Sequence, residues 1–244
     1  MKIHVLAGDA LADDFRNSGI EGEPVVCREC LVEGDVRAGN LEDFWKVRAG
    51  FIKSAYDENE ENYFREVVVE FEKLQNLAPG TEVNLWFEYE LFCQANMWFC
   101  LYLLQNTPAA SVYRVAPVVR TETDVWKGFG NLSAEDLKKC FAERIKFGDE
   151  DLRLGAQLWQ AYQNADYEKL EKLSESESDC FPRLKEVCRA EIEKAFRPQK
   201  VLQEIIENGA SDFTEIFPAF TTRAGVYGFG DAQVKRILNL TDNG

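Results

Sequence analysis

Apolar residues along the first 130 positions come in two spacings. Short runs of strand length, "KIHVLAG" (2–8), "EPVVCRE" (23–29), "VNLWFE" (83–88) and "SVYRVAP" (111–117), are bounded by glycine, proline and acidic residues. Between them lie stretches whose apolar positions recur at helical spacing. "DALADDFRNSG" stops at Gly19, and a long amphipathic region over 41–77 carries Phe44, Val47, Phe51, Ile52 and Tyr56, then Tyr63, Val67, Phe71 and Leu74. "APGTE" reads as a turn, and residues 91–105 are apolar nearly all round, which predicts a helix buried on every side. Strand and helix alternating in this order imply a parallel sheet with helices on both faces, and the right-handed crossover rule settles most of the topology.

From "NLSAEDLKKCF" onward the strand pattern disappears. Asn131 or Ser133 caps a helix running to about Lys146, and "DEDLRLGAQLWQAYQNAD" carries a stripe of Leu152, Ala156, Trp159 and Tyr162. "FPRLKEVCRAEIEKAF", "PQKVLQEIIENG" and "DAQVKRILNL" continue the helical pattern, with Pro182 and Pro198 near helix starts, Gly209 past an end, and "KLSESESD" as a polar linker. The expected fold class is therefore α/β: an N-terminal domain over 1–130 built on a parallel sheet with helices on both faces, followed by an all-helical C-terminal domain over 131–244.

Composition narrows the function classes. Hydrophobic residues at 45% and charged residues at 29% fit a soluble chain with a packed core. No apolar run reaches the roughly 18 uncharged residues of a membrane span, and "MKIHVLAGDAL" reads as a strand rather than a signal peptide. Seven cysteines, an odd number at irregular spacing, predict free thiols and a cytoplasmic protein. The net charge is −15, and residues 1–130 hold most of it, with 12 Lys and Arg against 22 Asp and Glu. Such a surface repels phosphate backbones and argues against nucleic-acid partners.

The apolar segment "LWFEYELFCQANMWFCLYLL" (85–104) nevertheless contains Glu88 and Glu90, with Gln94 one turn later. In an open parallel sheet, groups just beyond the carboxyl ends of the strands line the ligand crevice. Gly8 and Asp9 follow the first strand, Arg28 and Glu29 the second, and Glu88 and Glu90 the third, so acids distant in sequence are expected at one rim. Glu90 and Gln94, four apart, share a helix face. Each acid taken singly also serves as a helix cap, since an N-terminus favours negative charge by about 0.3–1 kcal/mol. Clustered carboxylates repel unless a cation, an arginine or a proton intervenes; Arg28 is the partner in sequence, and Mg²⁺ or Mn²⁺ the matching ion for oxygen ligands.

These residues also carry a resemblance. "IHVLAGDALADDF", "CRECLVEGD", "FWKVRAGF", "LWFEYELFCQANMWFCLYLL", "GFGNLSAEDL" and "YGFGDAQV" together resemble the uncharacterised bacterial domain-of-unknown-function family numbered eighteen thirty-five. The resemblance covers most of the chain and is densest over 1–130. The family pattern of a strand ending in Gly-Asp, an "RExLxxGP" segment and a "WFExDLFCQ" segment is matched at Gly8, Asp9, Arg28, Glu29, Leu31, Gly34, Trp86, Phe87, Glu88, Leu91, Phe92, Cys93 and Gln94. It departs at Asp35, where the pattern has Pro, and at Glu90, where Asp is usual. The family has no established reaction, so the resemblance implies a motif list and no chemistry.

Other chemistries have weaker support. "CREC" (27–30) has metal-ligand spacing but no second Cys-x-x-Cys completes a zinc site, and a Cys27–Cys30 redox pair lacks thioredoxin-like surroundings. His4, the only histidine, falls inside the first strand, where a core residue is expected rather than a catalytic base. Cys93 and Cys100 read as small core residues. "GFGN" (128–131) and "VYGFGDAQ" (226–233) read as turns, the first without a full phosphate-binding fingerprint.

Two functional readings follow. In one, the protein is a binding module whose pocket at the carboxyl ends of the strands takes a polar small-molecule or protein ligand through Gly8, Asp9, Arg28, Glu29, Glu88, Glu90 and Gln94. In the other, Asp9, Glu29 and Glu88 hold Mg²⁺ or Mn²⁺ for a hydrolase or transferase, with one acid as general base. A C-terminal helix-turn-helix regulator, reading DNA through Lys235 and Arg236, is a minor third reading.

Overall fold

Near-continuous apolar strands, which parallel sheets require because both of their faces are covered, supply four of the five strands. The computed structural model of the protein describes residues 1–105, 107 and 111–241. The sheet has the order β2-β1-β3-β4-β5, from β1 (Lys2–Leu6), β2 (Glu23–Val26), β3 (Glu82–Trp86), β4 (Ser111–Val115) and β5 (Ile145–Lys146). The first four run parallel and β5 is antiparallel to β4. The register is level at the carboxyl end: Leu6 pairs with Val26 on one side and Trp86 on the other, and Trp86 pairs with Val115.

Alternation along the strands sends side chains to two cores. Leu6, Val26, Trp86 and Val115 pack with Leu11 and Phe15 of α1 (Asp9–Ser18) and Leu137 and Cys140 of α6 (Ala134–Ala142). Ile3, Val5, Val25, Val83 and Leu85 face the larger core, which contains most of α5 (Leu91–Leu104). There Phe99 stands 4.9 Å from Phe44 of α2 (Leu41–Tyr56) and 4.7 Å from Trp159 of α7 (Asp149–Gln163), ring centre to ring centre. The α/β class with helices on both faces and a helical C-terminal region is thus the architecture observed. Residues from 1–130 and from 131–244 belong to this same larger cluster.

Local chemistry explains the departures from the expected elements. The helical stretch over 41–77 is broken at Asp57, which adopts a left-handed φ of 56°, and Asn59 recaps the short α3 (Glu60–Tyr63). A single π turn (Phe64–Val68) follows before α4 (Val69–Gln75). In the second half, β5 is a strand where only helices were expected; at two residues it is too short to show an alternating pattern. The helices α9 (Leu184–Glu193), α10 (Arg197–Glu207) and α12 (Asp231–Thr241) follow the pattern, whereas α8 (Tyr167–Ser174), which takes in the start of the expected linker, and α11 (Phe213–Ala224) are helices the pattern did not predict. Pro218 sits in the interior of α11, a breaker signal that Asp212 offsets by capping Thr214 and Glu215 N–H groups at 2.8 and 3.2 Å. No helix among the described residues is long and apolar enough to cross a membrane.

Close contact of α5 and α7 depends on Gly155. A Cβ there would lie 2.3 Å from Leu101 Cδ1 and 3.0 Å from Leu101 Cβ. Gly155→Ala is predicted to lower stability by about 1–3 kcal/mol through overpacking, despite the better helix propensity of alanine. Urea denaturation followed by circular dichroism measures this, and a stabilised variant would contradict the close packing.

Candidate functional site

The level strand ends bring the residues that follow them to one edge of the sheet, but neighbouring positions there have different fates. After β1, Gly8 takes a φ of 94° and turns the chain into α1, leaving Asp9 at the surface. After β2, Arg28 points outward and meets Asp9 with two parallel bonds, Nε to Oδ2 at 2.9 Å and Nη2 to Oδ1 at 2.8 Å. Its third nitrogen, Nη1, donates to the Glu66 carbonyl of the π turn at 2.8 Å. Beside this pair, Arg28, Ile52, Asn62, Tyr63 and Glu66 line a cavity of about 310 Å³.

Glu29 points the opposite way, into the core. Arg48, fully buried on α2, holds it with Nε to Oε1 at 3.1 Å and Nη2 to Oε2 at 2.8 Å, and the Tyr63 hydroxyl donates to Oε1. Arg48 also donates to the carbonyls of Cys30, Glu33 and Asp35, at 2.9, 2.6 and 3.2 Å, so one guanidinium pins the whole 29–35 loop. Gly34 in that loop has a φ of 74° and lies against the Phe51 ring. The Asp35 carbonyl accepts from Arg48 and its carboxylate from Arg37. The segments "CRECLVEGD" and "FWKVRAGF" thus meet through this buried ion pair. In sequence it was visible only as a lone arginine on the apolar face of α2.

After β3 the two remaining acids stay together. Glu88 Oε1 accepts the Phe129 N–H at 2.7 Å, and Glu90 caps α5 by accepting the Cys93 N–H at 2.7 Å. Gln94 Nε2 donates to the Glu88 carbonyl at 2.5 Å. One carboxylate oxygen from each acid and the Cys93 sulfur all lie within 4.8 Å of one another. Two glycines make room for this pair. Gly128, at φ 65°, would place a Cβ 2.0 Å from the Glu88 carboxyl carbon; Gly228, at φ 66°, would place one 2.5 Å from the Glu90 carboxyl carbon. The two Gly-Phe-Gly turns, read from sequence as plain connections, thus each lay a backbone against one acid. Their shared tripeptide was the signal that could have linked them.

The expected cation site does not assemble. Asp9 pairs with Arg28, Glu29 is neutralised by Arg48, and only Glu88 remains in a group of potential metal ligands, with Glu90 and Cys93 as its companions. Opposite side-chain directions at Arg28 and Glu29 cause the separation. The other sequence candidates resolve simply. His4 is buried, accepts from Trp86 Nε1 at 3.0 Å through Nδ1, and bonds the Glu21 carbonyl at 3.2 Å through Nε2; burial lowers its pKa to about 4, so it is neutral. All seven cysteines are free and buried. Lys235 and Arg236 pair with Asp231 and Glu33 within the chain.

Electrostatics distinguish the pair from an ordinary cap. Burial, and then the neighbouring charge of Glu88, push Glu90 up to about 8. Burial also raises Glu88, partly offset by the Phe129 N–H, and burial pushes up the Cys93 thiol. With its pKa near 8, Glu90 holds a proton at neutral pH, and two acids this close influence each other's titration. The pair can donate or accept a hydrogen bond, and once ionised it can receive a cation.

Two predictions follow from these geometries. Arg48→Met, which strands the Glu29 carboxylate, should cost about 3–5 kcal/mol in urea denaturation, and Glu29→Gln added to it should recover part of that loss. Equal stability of wild type and Arg48→Met would contradict the pinning role. Because Glu90 has a folded pKa near 8 against 4.5 ordinarily, the folded state binds the extra proton between those values, and its contribution to stability is lost as pH rises through that window. Glu90→Gln, which keeps the capping oxygen, should flatten the fall in melting temperature from pH 5 to pH 8; an unchanged slope would sink the assignment. Compared with protein-family models, with curated proteins and with solved structures, the chain matches none.

Proposed function

We propose that the protein is a binding protein for a small polar ligand that carries a positive charge or several hydrogen-bond donors, and that Glu88, Glu90 and Gln94 form the centre of its site. The observation that carries this reading is the position of the acid pair. The strand order reverses direction between β1 and β3, so the topological switch point of this sheet, where open α/β sheets commonly bind ligands, lies between Gly8, after β1, and Glu88, after β3. Two neighbouring buried acids at that point are costly to fold around, because burial raises both, and a cationic or donor-rich ligand relieves the cost. Gly8, Asp9 and Arg28 follow the strands on the β1 side of this switch point, while Glu29 acts through the loop it anchors. Seven free thiols support a reducing compartment, and we place the protein in the cytoplasm.

A second reading, a hydrolase or transferase assisted by Mg²⁺ or Mn²⁺, is favoured by one observation: the ligand atoms of Glu88, Glu90 and Cys93 are close enough to share an ion. In that case the ion displaces the proton held by Glu90, and affinity rises with pH.

Thermal melting at pH 8 separates the two. A ligand present at a hundred times its Kd adds about 2.7 kcal/mol, roughly 5–10 °C for a chain of this size. Diaminobutane with EDTA, as a small organic dication, is expected to raise the melting temperature of wild type and not of Glu88→Gln/Glu90→Gln. A rise with Mg²⁺ or Mn²⁺ that the double variant loses would favour the cation-assisted reading. No shift with any of the three would contradict both.

A further inference from the structure

Three arginines of this protein turn the same edge of the guanidinium, the parallel Nε–H and Nη2–H donors, onto a carboxylate. Arg28 does so with Asp9, Arg48 with Glu29 and Arg37 with Asp35. Arg114 on β4 is different. It is 2% exposed, its Nη1 donates to the Cys180 carbonyl, and its Cζ lies 4.8 Å from the centre of the Tyr89 ring. Among the described residues its Nε and Nη2 have no hydrogen-bond partner, and it makes no ion pair. A buried guanidinium without an anion is costly, and a carboxylate on that edge supplies two charge-assisted bonds.

Arg114 also lines a cavity of about 500 Å³ beyond the end of β4. Pro117, Pro182, Val119 and Ile145 give this cavity an apolar wall. Val119 and Ile145 are 38% and 42% exposed, large apolar side chains left in water on the rim. Glu143 and Asp179 line it as well; Lys139 pairs with Glu143 at 4.0 Å, and Asp179 opposes a doubly charged anion such as a phosphate ester more than the single carboxylate that Arg114 neutralises. Burial lowers the Arg114 pKa to about 10, so it stays charged at neutral pH.

We infer that this cavity is a second binding site, which takes a small monocarboxylic acid with an apolar body, its carboxylate on the Nε/Nη2 edge of Arg114 and its body against the wall formed by Val119 and Ile145. Tyr89, half-buried over the guanidinium, moves aside as the acid enters. The site does not depend on the Glu88–Glu90 pair, because the groups it uses are different.

The test is calorimetric titration of the full chain with acetate, hexanoate and benzoate, with benzamide and inorganic phosphate as controls. At least one of hexanoate and benzoate is expected to bind saturably and more tightly than acetate. Benzamide and phosphate should bind roughly tenfold or more weakly, reflecting lost charge-assisted bonds and repulsion. Arg114→Lys should weaken binding by a similar factor, since a lysine has no planar fork. Should Arg114 variants unfold, Ile145→Asp on the exposed rim must abolish binding, and the Arg114 Nε–H signal of ¹⁵N-arginine-labelled protein must move on titration. Glu88→Gln/Glu90→Gln should retain it. The inference is overturned if none of the three acids binds, if benzamide or phosphate binds equally well, or if Ile145→Asp leaves affinity unchanged.

Discussion

A sheet buried on both faces has few places to put a charge, and its carboxyl edge is the main one. Here the level register across Leu6, Val26, Trp86 and Val115 makes that edge continuous. Every polar group that follows a strand must either find a partner at the edge, reach water, or be neutralised inside. This constraint organises the chemistry of the protein more than any single contact does.

The acids answer the constraint in different ways. Asp9 reaches the surface and pairs with Arg28, an exposed pair that adds little stability. Glu29 turns inward and is held by a fully buried Arg48, which at the same time ties down the loop from Cys30 to Asp35. Among the described residues Glu88 and Glu90 meet no cation, only backbone N–H groups and each other, and two left-handed glycines are needed to let the chain pass so close. Arg114 presents the mirror problem on the next strand, a buried cation whose second edge has no hydrogen-bond partner among the described residues. A chain that carries uncompensated charge of both signs along one sheet edge has spent stability there, as ligand sites commonly require.

Much of this architecture was legible in the sequence because it rests on period. The four apolar runs, the capping at Ser133 and the all-round apolar helix over 91–104 follow from local patterning and appear in the structure. β5 was not legible, because two exposed residues carry no pattern, and α11 was hidden by Pro218. Glu88, Glu90 and Gln94, expected together from sequence, lie together in the structure because they are neighbours on one strand-to-helix turn. Asp9 and Glu29 were expected with them because proximity at an edge was taken for a shared direction. Direction depends on the alternation at each strand end and on partners such as Arg48 and Tyr63, which lie 19 and 34 residues from Glu29. The glycines at 128 and 228 act across 40 and 138 residues on Glu88 and Glu90, a distance that no local motif encodes.

The central claim is that the native protein keeps a proton on a carboxyl pair at the mouth of its sheet. Carbon-detected NMR of the glutamate side-chain carboxyls, followed across pH 4 to 9, reads that proton directly. The account predicts that Glu90 titrates near 8, with Glu88 also above the ordinary 4.5 and the two curves coupled. Two independent curves centred at the ordinary value would contradict it.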